Sequence, residues 1–195
     1  MRWRFLLLLL FIPSCQAPLL DSPHSEWFLI GEASFSRTPG GVIHGQGRDL
    51  PRNSFLVSRE QYADFELEVD LRIKGGNSGI QIRSQLKDGD TKIYGYQIEV
   101  DPSERAWSGG LFDEARRGWL DSNEDKPEAL AAFMVNDWNH YRIRCEGTRI
   151  QSWVNGVPCA DFEDDVNAKG YIGLQVHGGA KTDVWWRGIS ITPLP

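Results

Sequence analysis

The stretch that decides the fold is DFELEVDLRI, residues 64–73. Its apolar residues occupy every second position: Phe65, Leu67, Val69, Leu71 and Ile73. Successive side chains of a β-strand point to opposite faces of the sheet, so this alternation predicts a strand with one buried face. The residues between them carry charges of both signs, which is typical of a face in contact with solvent.

The same alternation recurs along the chain in short segments separated by turn residues. After residue 137, a meander of three strands is predicted, with turns at Glu146-Gly147 and Asn155-Gly156. Asn-Gly between alternating segments is the strongest short hairpin signal. The one helical candidate is KPEALAAFM, residues 126–134. Many short antiparallel strands with one apolar face predict an all-β protein, a jelly-roll β-sandwich of two antiparallel sheets.

The length and charge of the chain limit its function class. It has 195 residues and a net charge of −6, with no run of basic residues. This excludes nucleic acid and anionic membrane surfaces as predicted partners. We interpret residues 1–15 as a signal peptide, 16–26 as a Pro- and Ser-rich tether, and 27–195 as one folded domain.

The N-terminal segment MRWRFLLLLLFIPSC predicts export. Its last four residues, ending at Cys15, are similar to a bacterial lipobox, so we expect Cys15 to carry a lipid. The protein would then lie in the periplasm or at the outer membrane, with that lipid as its membrane contact. An ordinary signal peptide cut nearby is the alternative. The other cysteines, Cys145 and Cys159, fit either a disulfide or two buried thiols.

Three predicted strands carry polar faces that differ from the solvated face of residues 64–73. They lie at residues 79–85, 94–101 and 171–177, and none of their polar faces contains lysine. Their polar residues are Gln81, Arg83, Gln97, Glu99, Asp101, Gln175 and His177. These types suit proton transfer and bidentate hydrogen bonding. If the strands share a sheet, Arg83, Glu99, Asp101 and His177 converge on a concave surface. The alternative is an ordinary surface on which the carboxylates pair with Arg83.

A metal site is a weaker interpretation of the same residues. Glu99, Asp101 and His177 are acceptable ligands for a divalent metal. The sequence has no HExxH motif, no EF-hand loop and no CxxC pair. It therefore predicts no definite cofactor, and a divalent metal held by these three side chains stays an alternative.

Several segments of the chain resemble the 3-keto-disaccharide hydrolase domain family. They include YADFELEVDLRIKGGNSGIQIRSQ, YGYQIEVDPS and KGYIGLQVHGG. The most specific pieces are Gly76–Ile80, Trp138-Asn139, Asn155-Gly156 and Gly173–His177, and the resemblance extends over residues 27–192. It implies a concanavalin-like jelly roll and the cleavage of glycosides or disaccharides whose sugar is oxidised to a ketone at carbon 3. Members of the family are typically exported by bacteria.

The resemblance implies roles for the polar residues. A C3 ketone acidifies the hydrogen on C2, so a base can form an enolate that expels the substituent on C1, and water then adds. We expect Glu99 or His177 to be the base, Arg83 or a metal to stabilise the enolate, and Asp101 to orient His177 or join a metal site.

Further residues are expected to bind the sugar. Gln81, Gln97 and Gln175 would hydrogen-bond its hydroxyls. Trp107 and Trp119 would stack on a sugar ring, with anchoring of their loop as the alternative. Three other functions stay open: a carbohydrate-binding envelope module without activity, an ordinary glycosidase with Glu99 and Asp101 as its carboxylates, and a structural envelope lipoprotein.

Overall fold

The structure is a computed structural model and describes residues 26–87, 89 and 92–195. The predicted signal peptide, Cys15 and residues 16–25 of the predicted tether lie outside the described residues. Within the described part, the chain forms two antiparallel sheets of seven strands each. The prediction of an all-β sandwich is confirmed.

The strands of the first sheet, sheet I, come from both halves of the chain. In their order across the sheet they are β1 (Trp27–Ile30), β4 (Ser54–Tyr62), β13 (Gly170–Val176), β6 (Ser78–Lys87), β7 (Lys92–Val100), β8 (Leu111–Glu114) and β9 (Gly118–Asp121).

The second sheet, sheet II, contains the predicted meander. Its order is β12 (Val157–Glu163), β11 (Arg149–Val154), β10 (Asn139–Glu146), β5 (Phe65–Gly75), β14 (Gly179–Pro193), β3 (Ile43–Leu50) and β2 (Ser34–Arg37). The helical candidate forms a single turn, α1 (Pro127–Leu130). No helix in the described part of the chain has the length and apolar character needed to cross a membrane.

The hydrophobic core lies between the two sheets and follows the predicted alternation. Every apolar residue of 64–73 is at most 1% exposed. The opposing side chains from sheet I include Ile80, Ile98, Ile172, Leu174 and Val176. Each such side chain stabilises the fold by about 1.5–3 kcal/mol through burial. Because the inward faces are filled by apolar groups, the polar residues of β6, β7 and β13 must lie on the outer face of sheet I or at its ends.

The two cysteines of the domain are free and buried. Cys145 lies in β10 and Cys159 in β12, with β11 between them. Two strand spacings amount to about 10 Å, which is too far for a disulfide. Burial raises the pKa of Cys145 to about 12 and that of Cys159 to about 11. Of the two alternatives, the structure has buried thiols.

Candidate functional site

The three strands with unusual polar faces are neighbours in sheet I, in the order β13-β6-β7. Their register aligns the central polar residues: Gly173 is opposite Gln81, and Gln81 is opposite Gln97. Residues that face each other across antiparallel strands share a face of the sheet. The condition on which the predicted convergence depended, that the three strands share one sheet, is therefore met.

The three glutamines form a buried network on the outer face. Gln81 Nε2 and Gln175 Nε2 both donate to Gln97 Oε1, at 2.8 and 2.9 Å. All three are at most 2% exposed. Within the described residues, Gln175 Oε1 is buried without a hydrogen-bond partner. A buried acceptor without a donor is costly, so this atom marks a place where a hydroxyl of a ligand would be stabilised.

Two glycines make room for this network. A Cβ at Gly79 would lie 2.3 Å from Cδ of Gln97, and a Cβ at Gly173 would lie 3.2 Å from Cβ of Gln81. The side chains of Gln97 and Gln81 thus lie over positions that have no side chain of their own. This accounts for glycine within the NSGI and YIGLQ segments, where strands otherwise disfavour it.

Glu99 extends the network and is only 4% exposed. Its Oε1 accepts a hydrogen bond from Asn77 Nδ2 at 2.6 Å, and its Oε2 accepts one from Gln97 Nε2 at 3.2 Å. Arg105 Nη2 lies 3.6 Å from Oε1. Burial raises the pKa of Glu99 above its usual value, and the donors beside it offset this only in part. Glu99 is therefore an oriented carboxyl with enhanced basicity.

Asp101 lies next to Glu99 on the same face but in a different environment. Its carboxylate accepts from Arg105 Nε at 2.6 Å and from the backbone N–H of Ser103 at 3.0 Å. Burial raises the pKa of Asp101, but these hydrogen bonds outweigh it and place the pKa below the usual value. Asp101 thus stays ionised and holds the loop, whereas Glu99 can exchange a proton. Carboxyls whose pKa values are driven apart are typical of acid–base sites.

Arg105 is the cation of this site, and sequence reasoning missed it. Besides binding Asp101, its guanidinium lies 4.9 Å from the ring centre of Trp107 and 5.1 Å from that of Trp119. The two indoles are in edge-to-face contact at 4.8 Å, and both are partly exposed. The predicted aromatic pair therefore stands beside the carboxyls. The signal for Arg105 was its place between Asp101 and Trp107 in one short loop.

Arg83 does not join this site, so its predicted convergence with Glu99 is wrong. Its φ is +45°, and the pairing of β6 shifts register between Gln81 and Gln85. This bulge turns the side chain away from the polar face. The buried guanidinium instead donates to the carbonyl groups of Ala63 (2.6 Å) and Gly147 (2.7 Å) and to Asp64 (2.7 Å). Arg83 holds the loops at one end of the sandwich.

His177 is placed differently from the expectation that Asp101 orients it. His177 is exposed, and its Nδ1 is hydrogen-bonded to the carbonyl oxygen of Gly178 at 2.6 Å. Burial raises the pKa of Glu114, whereas the hydrogen bond from Asn53 and the nearby His177 lower it. Sequence reasoning missed Glu114 and Asn53. Glu114 ends a four-residue strand, which is too short for a pattern to reveal its face.

The divalent-metal alternative finds no ligand cluster. Across residues 26–87, 89 and 92–195, no three His, Cys, Asp or Glu side chains are grouped as a metal ion requires. Glu99, Asp101 and His177 are instead hydrogen-bonded to different partners, which are Asn77, Arg105 and Gly178 respectively. The residues present do not fit a metal held in the predicted way.

Solved structures with the same fold come from several kinds of protein. Carbohydrate-binding module CBM66 from Bacillus subtilis matches with a TM-score of 0.64 and 20% identity, covering 86% of this chain and 95% of that one. A candidate glycosyl hydrolase from Parabacteroides distasonis has a TM-score of 0.59 and 21% identity, with coverages of 82% and 90%.

A third similar structure is the exoplasmic/lumenal domain of VIP36 in its Ca²⁺/Man₃GlcNAc-bound form. Its TM-score is 0.59 at 10% identity, with coverages of 87% of this chain and 81% of that one. At these identities the likeness concerns the fold, and it agrees with the predicted jelly roll. No curated protein matches the chain by sequence.

Family membership rests on a sequence model rather than on these structures. The model of the 3-keto-alpha-glucoside-1,2-lyase-like domain matches residues 20–192, which include every strand except the last residue of β14. The glutamines, both carboxyls, Arg105 and the two indoles all lie inside the matched range. The chain belongs to the family of 3-keto-alpha-glucoside-1,2-lyase-like domains.

Proposed function

We propose that the protein cleaves 3-keto-α-glucosides by elimination and hydration on the outer face of sheet I, with Glu99 as the base. The observation that carries this proposal is the state of Glu99. It is a nearly buried carboxyl, held by Asn77 and Gln97, with a raised pKa. A carboxylate with a purely structural role at a sheet surface is not expected to be desolvated in this way. A general base that acts near neutral pH is favoured by a raised pKa.

The chemistry divides into two balanced steps. Glu99 removes the proton from C2 of the keto sugar, and the electrons of that bond form the enolate of the C3 ketone. The enolate forms a C1–C2 double bond as the bond from C1 to the leaving oxygen breaks, and that oxygen receives a proton. Water then adds to C1, a proton returns to C2, and free 3-keto-glucose is released.

The neighbouring residues stabilise the enolate and bind the sugar. Arg105 is the cation next to Glu99, so it takes the enolate-stabilising role that was predicted for Arg83. Gln175 Oε1 offers an acceptor for a sugar hydroxyl. Trp107 and Trp119, which are both partly exposed, offer apolar surface for the C–H face of a pyranose ring. Asp101 keeps Arg105 in position.

The direct test uses methyl 3-keto-α-glucoside and 3-keto-trehalose with the purified protein. We expect release of 3-keto-glucose, a primary isotope effect when C2 carries deuterium, and a loss of about 10²–10⁴-fold in kcat for Glu99→Gln. Glu128→Gln, on exposed α1, is the matched control and should keep the full rate. Turnover without an isotope effect would indicate an oxocarbenium-type glycosidase instead.

A carbohydrate-binding module without activity is the second candidate. It is favoured by the fold similarity to CBM66, which covers 95% of that module. Calorimetric titration distinguishes the two. A module should bind trehalose and 3-keto-trehalose without turnover, and Glu99→Gln should leave that binding intact. Absence of turnover on all 3-keto glycosides, together with such binding, would replace the enzymatic proposal.

We further propose that the protein is exported and anchored in the envelope through a lipid on Cys15. The support is the sequence of residues 1–15. In a Gram-negative host, the wild-type protein should partition with membranes and a Cys15→Ser variant should not. Recovery of the wild type in the soluble periplasmic fraction would favour an ordinary signal peptide.

A further inference from the structure

The outer face of sheet I is bridged by a contact between its two sides. Asn53 Nδ2 donates to Glu114 Oε1 at 3.0 Å. Asn53 immediately precedes β4 and Glu114 ends β8, so β13, β6 and β7 lie between their strands. In a flat sheet, four strand spacings amount to about 19 Å. The sheet must therefore curve strongly, so that these two side chains meet above the polar residues of β13, β6 and β7.

The bridging carboxyl is directed to the same side as the glutamine network. Gly95 pairs with Glu114 and Gln97 pairs with Phe112, so Glu114 and Phe112 share the face of Gln97. Asp113, between them, is fully buried on the opposite side. Glu114 is partly exposed, and the groups that act on its carboxyl are Asn53 and His177. Its carboxyl is thus a second acid–base group on this face.

A cavity of about 810 Å³ lies beside Glu114. Its lining includes Ile30, Phe55 and Ile93, which form a small apolar cluster separate from the main core. Arg116 also lines it, and in the described structure Arg116 Nη2 is buried without a hydrogen-bond partner. Arg52, Lys87 and Lys92 line it too, so the cavity offers apolar surface beside basic groups, and its size is typical of small-molecule sites.

One strand that lines the cavity is paired with the strand that carries Gln175. Phe55 of the cavity pairs with Gln175, whose Oε1 has no partner among the described residues. Gln175 is joined through Gln97 to Glu99. Gln175 thus links Glu99 to a strand that lines the cavity.

We propose that Glu114 is the general acid that protonates the leaving oxygen, and that the cavity beside it receives the leaving group. This inference rests on the proposed function. Glu99 takes the C2 proton, the bond from C1 to oxygen breaks, and the leaving oxygen takes the proton of Glu114. In the hydration step Glu114 accepts a proton from the water that bonds to C1, and Glu99 returns its proton to C2. Both carboxyls are thereby restored.

Burial raises the pKa of Glu114, which agrees with a carboxyl that is protonated before the leaving oxygen takes its proton. The apolar part of the cavity lining, formed by Ile30, Phe55 and Ile93, favours aryl leaving groups, or sugars bound through a C–H face, over small hydrated alcohols.

The test compares two leaving groups in the purified protein: methyl 3-keto-α-glucoside and 4-nitrophenyl 3-keto-α-glucoside. Methoxide needs a proton to leave, whereas 4-nitrophenolate leaves without one. For Glu114→Gln we expect a fall in kcat of about 10²-fold or more with the methyl substrate and of less than about tenfold with the nitrophenyl substrate. Glu128→Gln should change neither rate.

The outcomes separate this inference from the function on which it rests. If the wild type cleaves neither substrate, the proposed function fails. If the wild type cleaves both and Glu114→Gln slows both equally or neither, Glu114 is not the acid. Glutamine keeps an acceptor for Asn53, and circular dichroism checks the fold. Glu114→Asp, which retains a carboxyl, should restore part of the rate with the methyl substrate, and equal rates for Asp and Gln would overturn the assignment.

Discussion

The outer faces of the two sheets are both polar, but they are built differently. On sheet II, charges of opposite sign are paired: Arg142 Nη2 lies 2.7 Å from Glu66, and Arg187 Nε lies 3.1 Å from Asp70. These side chains are a quarter to a half exposed. Exposed pairs of this kind contribute little to stability and mainly keep the surface soluble.

On the outer face of sheet I, amides replace most of the charges. The three glutamines are almost completely buried, and Glu99 is joined to them by hydrogen bonds from uncharged donors. These donors offset only part of the cost of desolvating Glu99, so the pKa of its carboxyl is raised. The two polar faces therefore differ in the burial of their side chains and in the type of partner that each carboxyl has.

Among substitutions on the two faces, we expect Gln97→Leu to cause the largest loss in the free energy of unfolding. Gln97→Leu leaves the side-chain donors of Gln81 and Gln175 buried without their acceptor, which costs about 1–3 kcal/mol for each donor. The matched control is Gln151→Leu on the outer face of sheet II, where we expect a change within about 0.5 kcal/mol. Urea unfolding measures both. Equal effects of the two variants would remove the distinction between the faces.

The pH dependence of stability should have opposite signs for Glu99 and Glu66. The folded-state pKa of Glu99 is raised by burial, so its contribution to the free energy of unfolding declines as the pH rises above 4.5. The pKa of Glu66 is lowered by the hydrogen bond from Arg142, so its contribution is present above 4.5 and is lost on acidification below that value. Unfolding curves of the wild type, Glu99→Gln and Glu66→Gln across this range measure both slopes.

The Glu66→Gln variant also serves as the small-effect control. Its loss of stability at neutral pH should stay below about 1 kcal/mol and shrink further in 1 M salt, because the pair is exposed. Activity supplies an independent check, since the acid limb of kcat/KM should lie above pH 4.5 if ionised Glu99 is the base. Slopes of the same sign for both glutamates would contradict the assignment of their environments.

Much of the fold and part of the site followed from alternation in the sequence. Phe65 to Ile73 predicted the central strand of sheet II and its buried face, and the Asn155-Gly156 turn between β11 and β12 is present with positive φ at both residues. The patterns around Gln81, Gln97 and Gln175 identified three strands that are in fact adjacent. The strand features depend on the two-residue period of an extended backbone, and the turn depends on the positive φ that Asn and Gly tolerate.

The errors have equally specific physical causes. Arg83 was assigned to the polar face because the period was assumed to continue, but the bulge at positive φ breaks it. Arg105 lies in a loop, where no period applies. The Asn53–Glu114 contact joins residues 61 positions apart, and only the curvature of the whole sheet brings them together.

The sequence by itself determined the strands, their inward faces and the chemical types available on the outward ones, because local steric rules place alternate side chains on opposite sides of a strand. The tertiary structure decided which polar groups are buried, which carboxyl is desolvated and which cation accompanies it. Those properties depend on strand order and sheet curvature, and therefore on contacts between distant parts of the chain. The pKa of Glu99 and the meeting of Glu114 with Asn53 belong to this second class.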